Sequence, residues 1–174
     1  MDFSAEMERT LQVLDYAILI ISAADGVQAH TRTLWRLLKR YKIPTFLFVN
    51  KMDQTEKEEE ELITNLQDNL DNCCVSFKKQ EGEAFFDTVS MCDEEIMEEF
   101  LTTGQIEENH IRKLIVCRKI FPVFFGSALK IQGIEDLMDA IIDLSFIQDY
   151  PEDFGARVYL SLIHISEPTR RTPI

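Results

Sequence analysis

Asn50, Lys51 and Asp53 are the residues whose types and spacing best suit chemistry in this chain. They stand in one tetrapeptide, Asn50-Lys51-Met52-Asp53, directly after an uncharged run. An ionised aspartate only accepts hydrogen bonds, through two oxygens side by side. Guanine offers two adjacent donors, its ring N1–H and its exocyclic amino group, and Asp53 can pair with both. Adenine lacks that amino group, and its N1 is an acceptor. A site built to hydrogen-bond a group rejects an analogue lacking it by roughly 10⁴-fold, because its own polar atoms are left unpaired. Asn50 can satisfy neighbouring backbone or the base edge, and the Lys51 stem can lie over the ring face. The rival reading is a solvated strand-to-helix turn capped by Asp53.

The elements that must position these residues follow from the hydrophobic pattern. Residues 45–49, Thr-Phe-Leu-Phe-Val, are β-branched or aromatic and opened by Pro44, which predicts a strand. A run this apolar reads as buried on both faces, as in a parallel sheet. Ligands of open α/β sheets bind just past the carboxyl ends of the strands, where Asn50–Asp53 lies. A second strand is expected over 16–22, ending at Asp25-Gly26, and a third over 73–77. A fourth, 121–125, runs into Gly126-Ser127-Ala128-Leu129-Lys130. Small residues there let backbone N–H groups approach a ligand, and the guanine carbonyl is an acceptor they can read. The two loops together form a plausible base pocket.

Helices are expected over 2–14, 28–42, 56–70 and 134–144. In the second, Leu34, Leu37, Leu38 and Tyr41 face inward, with Trp35 flanking that face and read as packing rather than function. Thr55 is the expected cap of the third, whose inward residues are Leu62, Ile63, Leu66 and Leu70; glutamates 58–61 at its start suit the helix dipole. In the last, Leu137, Met138, Ile141 and Leu144 face inward. Residues 78–120 read as an insertion with three short helices, no catalytic constellation, and His110 on the surface. Strands alternating with helices imply a parallel sheet with right-handed crossovers.

A net charge of −13 over 174 residues argues against a direct electrostatic grip on nucleic acid. Arg32, Arg36, Lys39, Arg40 and Lys42 read as a solvated helix face. Cys73, Cys74, Cys92 and Cys117 have no metal-ligand spacing and read as thiols of a reducing cytosol. The apolar runs are too short to span a membrane, and no signal peptide is visible.

Asn-Lys-x-Asp after a buried strand resembles the guanine-specificity motif of GTP-binding domains. The chain resembles the GTPase domain of translational GTPases, nearest to elongation factor G and the tetracycline ribosomal-protection proteins. Carrying the resemblance are Met1-Asp2-Phe3, Asp25-Gly26-Val27-Gln28, the helix at 31–35, Ile43-Pro44 through Asp53, and Gly126–Lys130, within residues 1–159. It implies that Asn50 and Asp53 read guanine, that Lys51 stacks along the base, and that Ser127, Ala128 and Leu129 supply backbone contacts. The implied fold is α/β, a P-loop GTPase-type parallel sheet with flanking helices, lacking the first strands and the phosphate loop. The implied ligands are GTP and GDP, with Mg2+ in the full-length parent only. The implied partner is the ribosome, in the cytoplasm, and ribosomal protection is the more specific expectation. The expected division is a partial GTPase domain over 1–148 with its insertion at 78–120, a linker over 149–159 to a β-barrel domain, and a non-native tail over 160–174.

The family's Gly-x-x-x-x-Gly-Lys-Ser/Thr loop, its first switch threonine and its Asp-x-x-Gly-His stretch do not occur in these residues. In the family Met-Asp-Phe follows that histidine, so Met1 reads as an internal methionine. Residues 160–174 depart from the family and resemble translated sequencing-adapter sequence, and His164 has no Ser/Asp partners. The expectations are therefore no catalytic residue here, no magnesium-dependent GTP hydrolysis by this chain alone, and an exposed apolar edge at 16–22. One alternative is a non-catalytic GTPase-like module that binds a protein through its acidic surface or residues 78–120. Another is a different translational GTPase, such as a peptide-chain release factor GTPase.

Overall fold

The computed structural model describes residues 9–77 and 83–146. The expected linker at 149–159, the tail at 160–174 and the start of the first helix lie outside the described residues. Within them the order is β1 (Ala17–Ser22), α1 (Ala29–Arg40), β2 (Thr45–Asn50), α2 (Glu59–Asn69), β3 (Cys74–Ser76), α3 (Glu83–Ser90), α4 (Glu94–Thr103), α5 (Glu108–Val116), β4 (Phe121–Phe125) and α6 (Ile134–Leu144). The four strands form one parallel sheet in the order β1-β2-β4-β3. β2 and β4, the strands that carry the two polar loops, are therefore neighbours, with Leu47 opposite Val123 and Val49 opposite Phe125.

The apolar run of β2 is buried on both sides, from Thr45 through Val49. Leu47 and Val49 join Leu19, Ile21, Val123, Trp35, Leu62 and Leu66 on one face of the sheet. Phe46 and Phe48 join Phe124, Ile115, Leu137 and Leu144 on the other. Among the described residues β1 is an edge strand, and its residues Ile18 and Ile20 are 46% and 63% exposed. The expected apolar edge is thus present.

Pro122 sits in β4, an interior strand, although proline cannot donate to a ladder. Neighbouring donors explain the tolerance. Phe121 N–H donates to Cys73 O, on the β3 side. Alternation then turns the Pro122 nitrogen toward β2, and the β2–β4 ladder begins only at Val123. Arg118 fills that end of the sheet, donating to Ile43 O and, at 2.9 Å, to the Thr45 hydroxyl. Its guanidinium also lies 5.0 Å from the ring centres of both Trp35 and Phe121.

Four local expectations change. Trp35 is a core residue rather than a flank: its indole N–H donates to Leu70 O at 3.1 Å, tying α1 to the end of α2. Thr55 does not cap α2; its hydroxyl accepts from Lys57 N–H at 3.2 Å, and α2 starts at Glu59 with Glu58 at the cap. In α6 Met138 is exposed, and the small Ala140 takes the buried position. His110 is half-buried on α5, with Nδ1 2.5 Å from Glu99 Oε2 of α4.

Candidate guanine-reading site

Asn50 is the last residue of β2, and its backbone carbonyl accepts from Ala23 N–H at 2.8 Å. Lys51 then takes a left-handed conformation, φ 64°, which turns the chain sharply out of the strand. A non-glycine residue there costs about 1 kcal/mol, so the turn must be held from outside. Three hydrogen bonds hold it. Asn50 Oδ1 accepts from Lys51 N–H at 2.7 Å and from Ala128 N–H at 2.9 Å. Met52 N–H donates to Gly126 O at 3.1 Å. The loops after β2 and β4 are thereby bonded to each other.

The second loop is itself a closed turn. Ser127 N–H donates to Gln132 O, and Gln132 N–H donates back to Ser127 O, both at 3.1 Å. Ala128–Lys130 forms a single 3₁₀ turn between them. Glycine is required at both flanks. A Cβ on Gly126 would strike Gln132 O, and one on Gly133 (φ 71°) would strike Phe125 O.

Asp53 lies in the 3₁₀ turn Met52–Gln54 and faces this second loop. The Ser127 hydroxyl, more than any other group, holds its carboxyl below the usual range; burial works the other way, and Lys130 adds a smaller lowering. Ser127 Oγ is buried and makes no hydrogen bond of full geometry among the described residues. Ser127 stands close enough to Asp53 for its rotatable hydroxyl to donate to the carboxylate. Lys130 Nζ is 3.7 Å from Asp53 Oδ2. An ionised, acceptor-only carboxylate is the state that receives two N–H donors.

The expected site residues thus converge from two adjacent strand ends. Asn50, Lys51 and Asp53 come from one loop, and Ser127, Ala128 and Leu129 from the other. Of the two partners expected for Asn50, neighbouring backbone or the base edge, its side-chain oxygen takes backbone, so its observed role is to fasten the loops. Two details were not legible beforehand. The Ala128 N–H, expected to face the base, is taken by that same oxygen. Lys130 had no role in the sequence reading, because its contact crosses between loops far apart in the chain.

A cavity of about 260 Å³ adjoins these loops, lined by Met52, Glu59, Phe125, Gly126, Gln132 and Asp136. A larger one, about 640 Å³, opens at the amino-terminal end of the strands near Tyr16, Ile43 and Pro44. The larger one is at the wrong end for an α/β ligand site. Among the described residues no three His, Cys, Asp or Glu side chains are grouped to hold a metal ion. These side chains do not by themselves fit a magnesium site. Among the same residues no helix is long and apolar enough to cross a membrane.

The chain is similar to known proteins over most of its length. The chain is 32% identical to a tetracycline resistance protein TetW of Butyrivibrio fibrisolvens, over 95% of this chain and 28% of the relative. It is 31% identical to elongation factor G of Mycoplasma genitalium, over 82% of this chain and 28% of the relative. It is 35% identical to a tetracycline resistance protein TetM of Ureaplasma urealyticum, over 81% of this chain and 24% of the relative. The chain therefore spans about a quarter of the length of these relatives. A crystal structure from Thermus thermophilus shares the fold with a TM-score of 0.67 at 18% identity, covering 82% of this chain and 28% of that one. The family described as the elongation factor Tu GTP binding domain matches residues 1–146, and the chain belongs to that family.

Proposed function

We propose that these residues are the guanine-reading part of a GTPase that acts on the ribosome in translation, of the elongation factor G or tetracycline-protection kind. The observation that carries this is the Asp53 carboxylate, held ionised opposite the closed Ser127–Gln132 turn at the ends of two neighbouring strands. In this reading Asp53 accepts from guanine N1–H and the 2-amino group. Lys51 covers the ring, Asn50 keeps the two loops together, and, with the Ser127 and Ala128 N–H groups bonded to Gln132 O and Asn50 Oδ1, the Leu129 N–H faces the base carbonyl. GTP and GDP are the ligands. The phosphates and magnesium are gripped by parts of the parent protein that these residues do not supply. Residues 1–148 form the GTPase portion, and 78–120 an insertion within it. The relatives' names favour a translational role, and supply both the elongation and the tetracycline-resistance versions of it.

Guanosine presents about 20 heavy atoms, which at roughly 0.3 kcal/mol each caps binding near 6 kcal/mol, or tens of micromolar. Calorimetry with guanosine and adenosine tests the proposal. Guanosine binding in the micromolar to millimolar range with no adenosine binding supports it, and equal binding of the two refutes it. A second reading, a non-catalytic module that binds protein, is favoured by the exposed Met91, Met97 and Leu101 at 78–120. Loss of all guanosine discrimination in the same experiment would favour that module.

A further inference from the structure

The geometry points to Lys130 as a specificity-determining residue that occupies Asp53 in the ligand-free protein and is displaced by guanine. This rests on reading Asp53 as the guanine acceptor. Lys130 ends the 3₁₀ turn Ala128–Lys130. Its N–H donates to Ser127 O at 3.1 Å, and the Ser127–Gln132 pair closes it from both sides. The backbone of Lys130 is therefore fixed opposite Asp53, and only its side chain is free to move.

The ammonium lies 3.7 Å from Asp53 Oδ2, with the lysine side chain 54% exposed and the aspartate side chain 14% exposed. The ammonium is thus the solvent-exposed partner of a largely covered carboxylate. A base that brings two donors needs both carboxylate oxygens and must push the ammonium aside. A base that brings one donor, such as hypoxanthine with N1–H and no amino group, needs a single oxygen. Lys130 then stays on the other and satisfies it. Lys130 therefore weakens guanosine binding, and at the same time softens the penalty against a one-donor base.

Exposed ion pairs of this kind are weak and screened by salt. The expected effects are accordingly a few-fold. Guanosine and inosine are both uncharged, so salt acts on the lysine–aspartate pair and not on the ligand. The test is calorimetric or NMR titration of the full chain and its Lys130→Met and Lys130→Arg variants with guanosine and inosine, at low and high salt. Lys130→Met should bind guanosine about two- to fivefold more tightly than the unsubstituted chain at low salt. Its guanosine-to-inosine preference should rise by at least as much. Added salt should strengthen guanosine binding to the unsubstituted chain and leave Lys130→Met unchanged, and Lys130→Arg should behave as the unsubstituted chain does. Equal guanosine affinity and equal preference in Lys130→Met and the unsubstituted chain would overturn the role of Lys130 while leaving Asp53 as the reader. Absence of guanosine binding in all three proteins would overturn both.

Discussion

Asn50→Ala is the substitution whose cost follows most directly from the site. Asn50 Oδ1 accepts two backbone hydrogen bonds, from Lys51 at 2.7 Å and Ala128 at 2.9 Å. Each such neutral bond contributes about 0.5–1.5 kcal/mol. Both lie where water can replace the lost acceptor, so together they amount to about 1–2 kcal/mol rather than the upper sum of ~3. The alanine also leaves Lys51 in its left-handed conformation with less to hold it. For a chain of this size 1 kcal/mol moves Tm by about 2–4 °C, which sets the expected fall at about 2–8 °C. Asn50→Asp keeps an oxygen acceptor in place and should recover most of the loss, less a small like-charge cost from Asp53. The assay is urea and thermal unfolding followed by circular dichroism, without nucleotide. If Asn50→Ala unfolds at the same urea concentration and temperature as the unsubstituted chain, Asn50 does not fasten the loops and the site's architecture is misread.

Three further outcomes are expected. Ile115 is 0% exposed in the core between α5 and the sheet, so Ile115→Ala should cost about 2–5 kcal/mol in urea unfolding; a smaller loss would mean that α5 packs loosely. Lys119 donates to Asp93, holding the aspartate below its ordinary 3.8 and the lysine above its ordinary 10.5. A lowered carboxyl contributes stability above its unfolded value and loses it as pH falls through the folded one. A raised ammonium contributes below its unfolded value and loses it as pH rises through the folded one. The advantage of the unsubstituted chain over Asp93→Asn should therefore fade below about pH 3.8 and above about 10.5, and an advantage constant with pH would contradict the pair. Ile20 is 63% exposed on the edge strand β1, so Ile20→Lys should raise the monomer fraction in sedimentation, since a charge on an edge blocks strand-to-strand association; an unchanged distribution would show that this edge is not what associates.

The sheet was legible because its central strand is apolar without interruption. Thr45–Val49 admits no amphipathic reading, and burial on both faces follows from composition alone. The helix faces were read less well. A periodic stripe of Leu34, Leu37, Leu38 and Tyr41 pushed Trp35 to the flank, yet an indole has a donor to satisfy, and Leu70 O lies within its reach. In α6 the periodicity favoured Met138 over Ala140, but close packing of the helix needs the smaller residue. Thr55 looked like a cap because its residue type suits one; its hydroxyl is spent two residues along, on Lys57 N–H. At the site, Asp53 and Asn50 were recognisable from the chemistry of guanine and from their place after a strand. The bond from Ala128 to Asn50 and the approach of Lys130 to Asp53 were not, because each depends on β2 and β4 being neighbours in space.

The central claim is that Asp53 reads the N1 and C2 edge of guanine with two acceptor oxygens, and exchanging one of those acceptors for a donor tests it most directly. Asp53→Asn presents one oxygen and one N–H, which matches xanthine, with its N1–H and its C2 carbonyl. Titration of the Asp53→Asn chain with guanosine and xanthosine should show guanosine binding lost and xanthosine binding gained, the reverse of the unsubstituted chain. Unchanged preference for guanosine in Asp53→Asn would contradict the account.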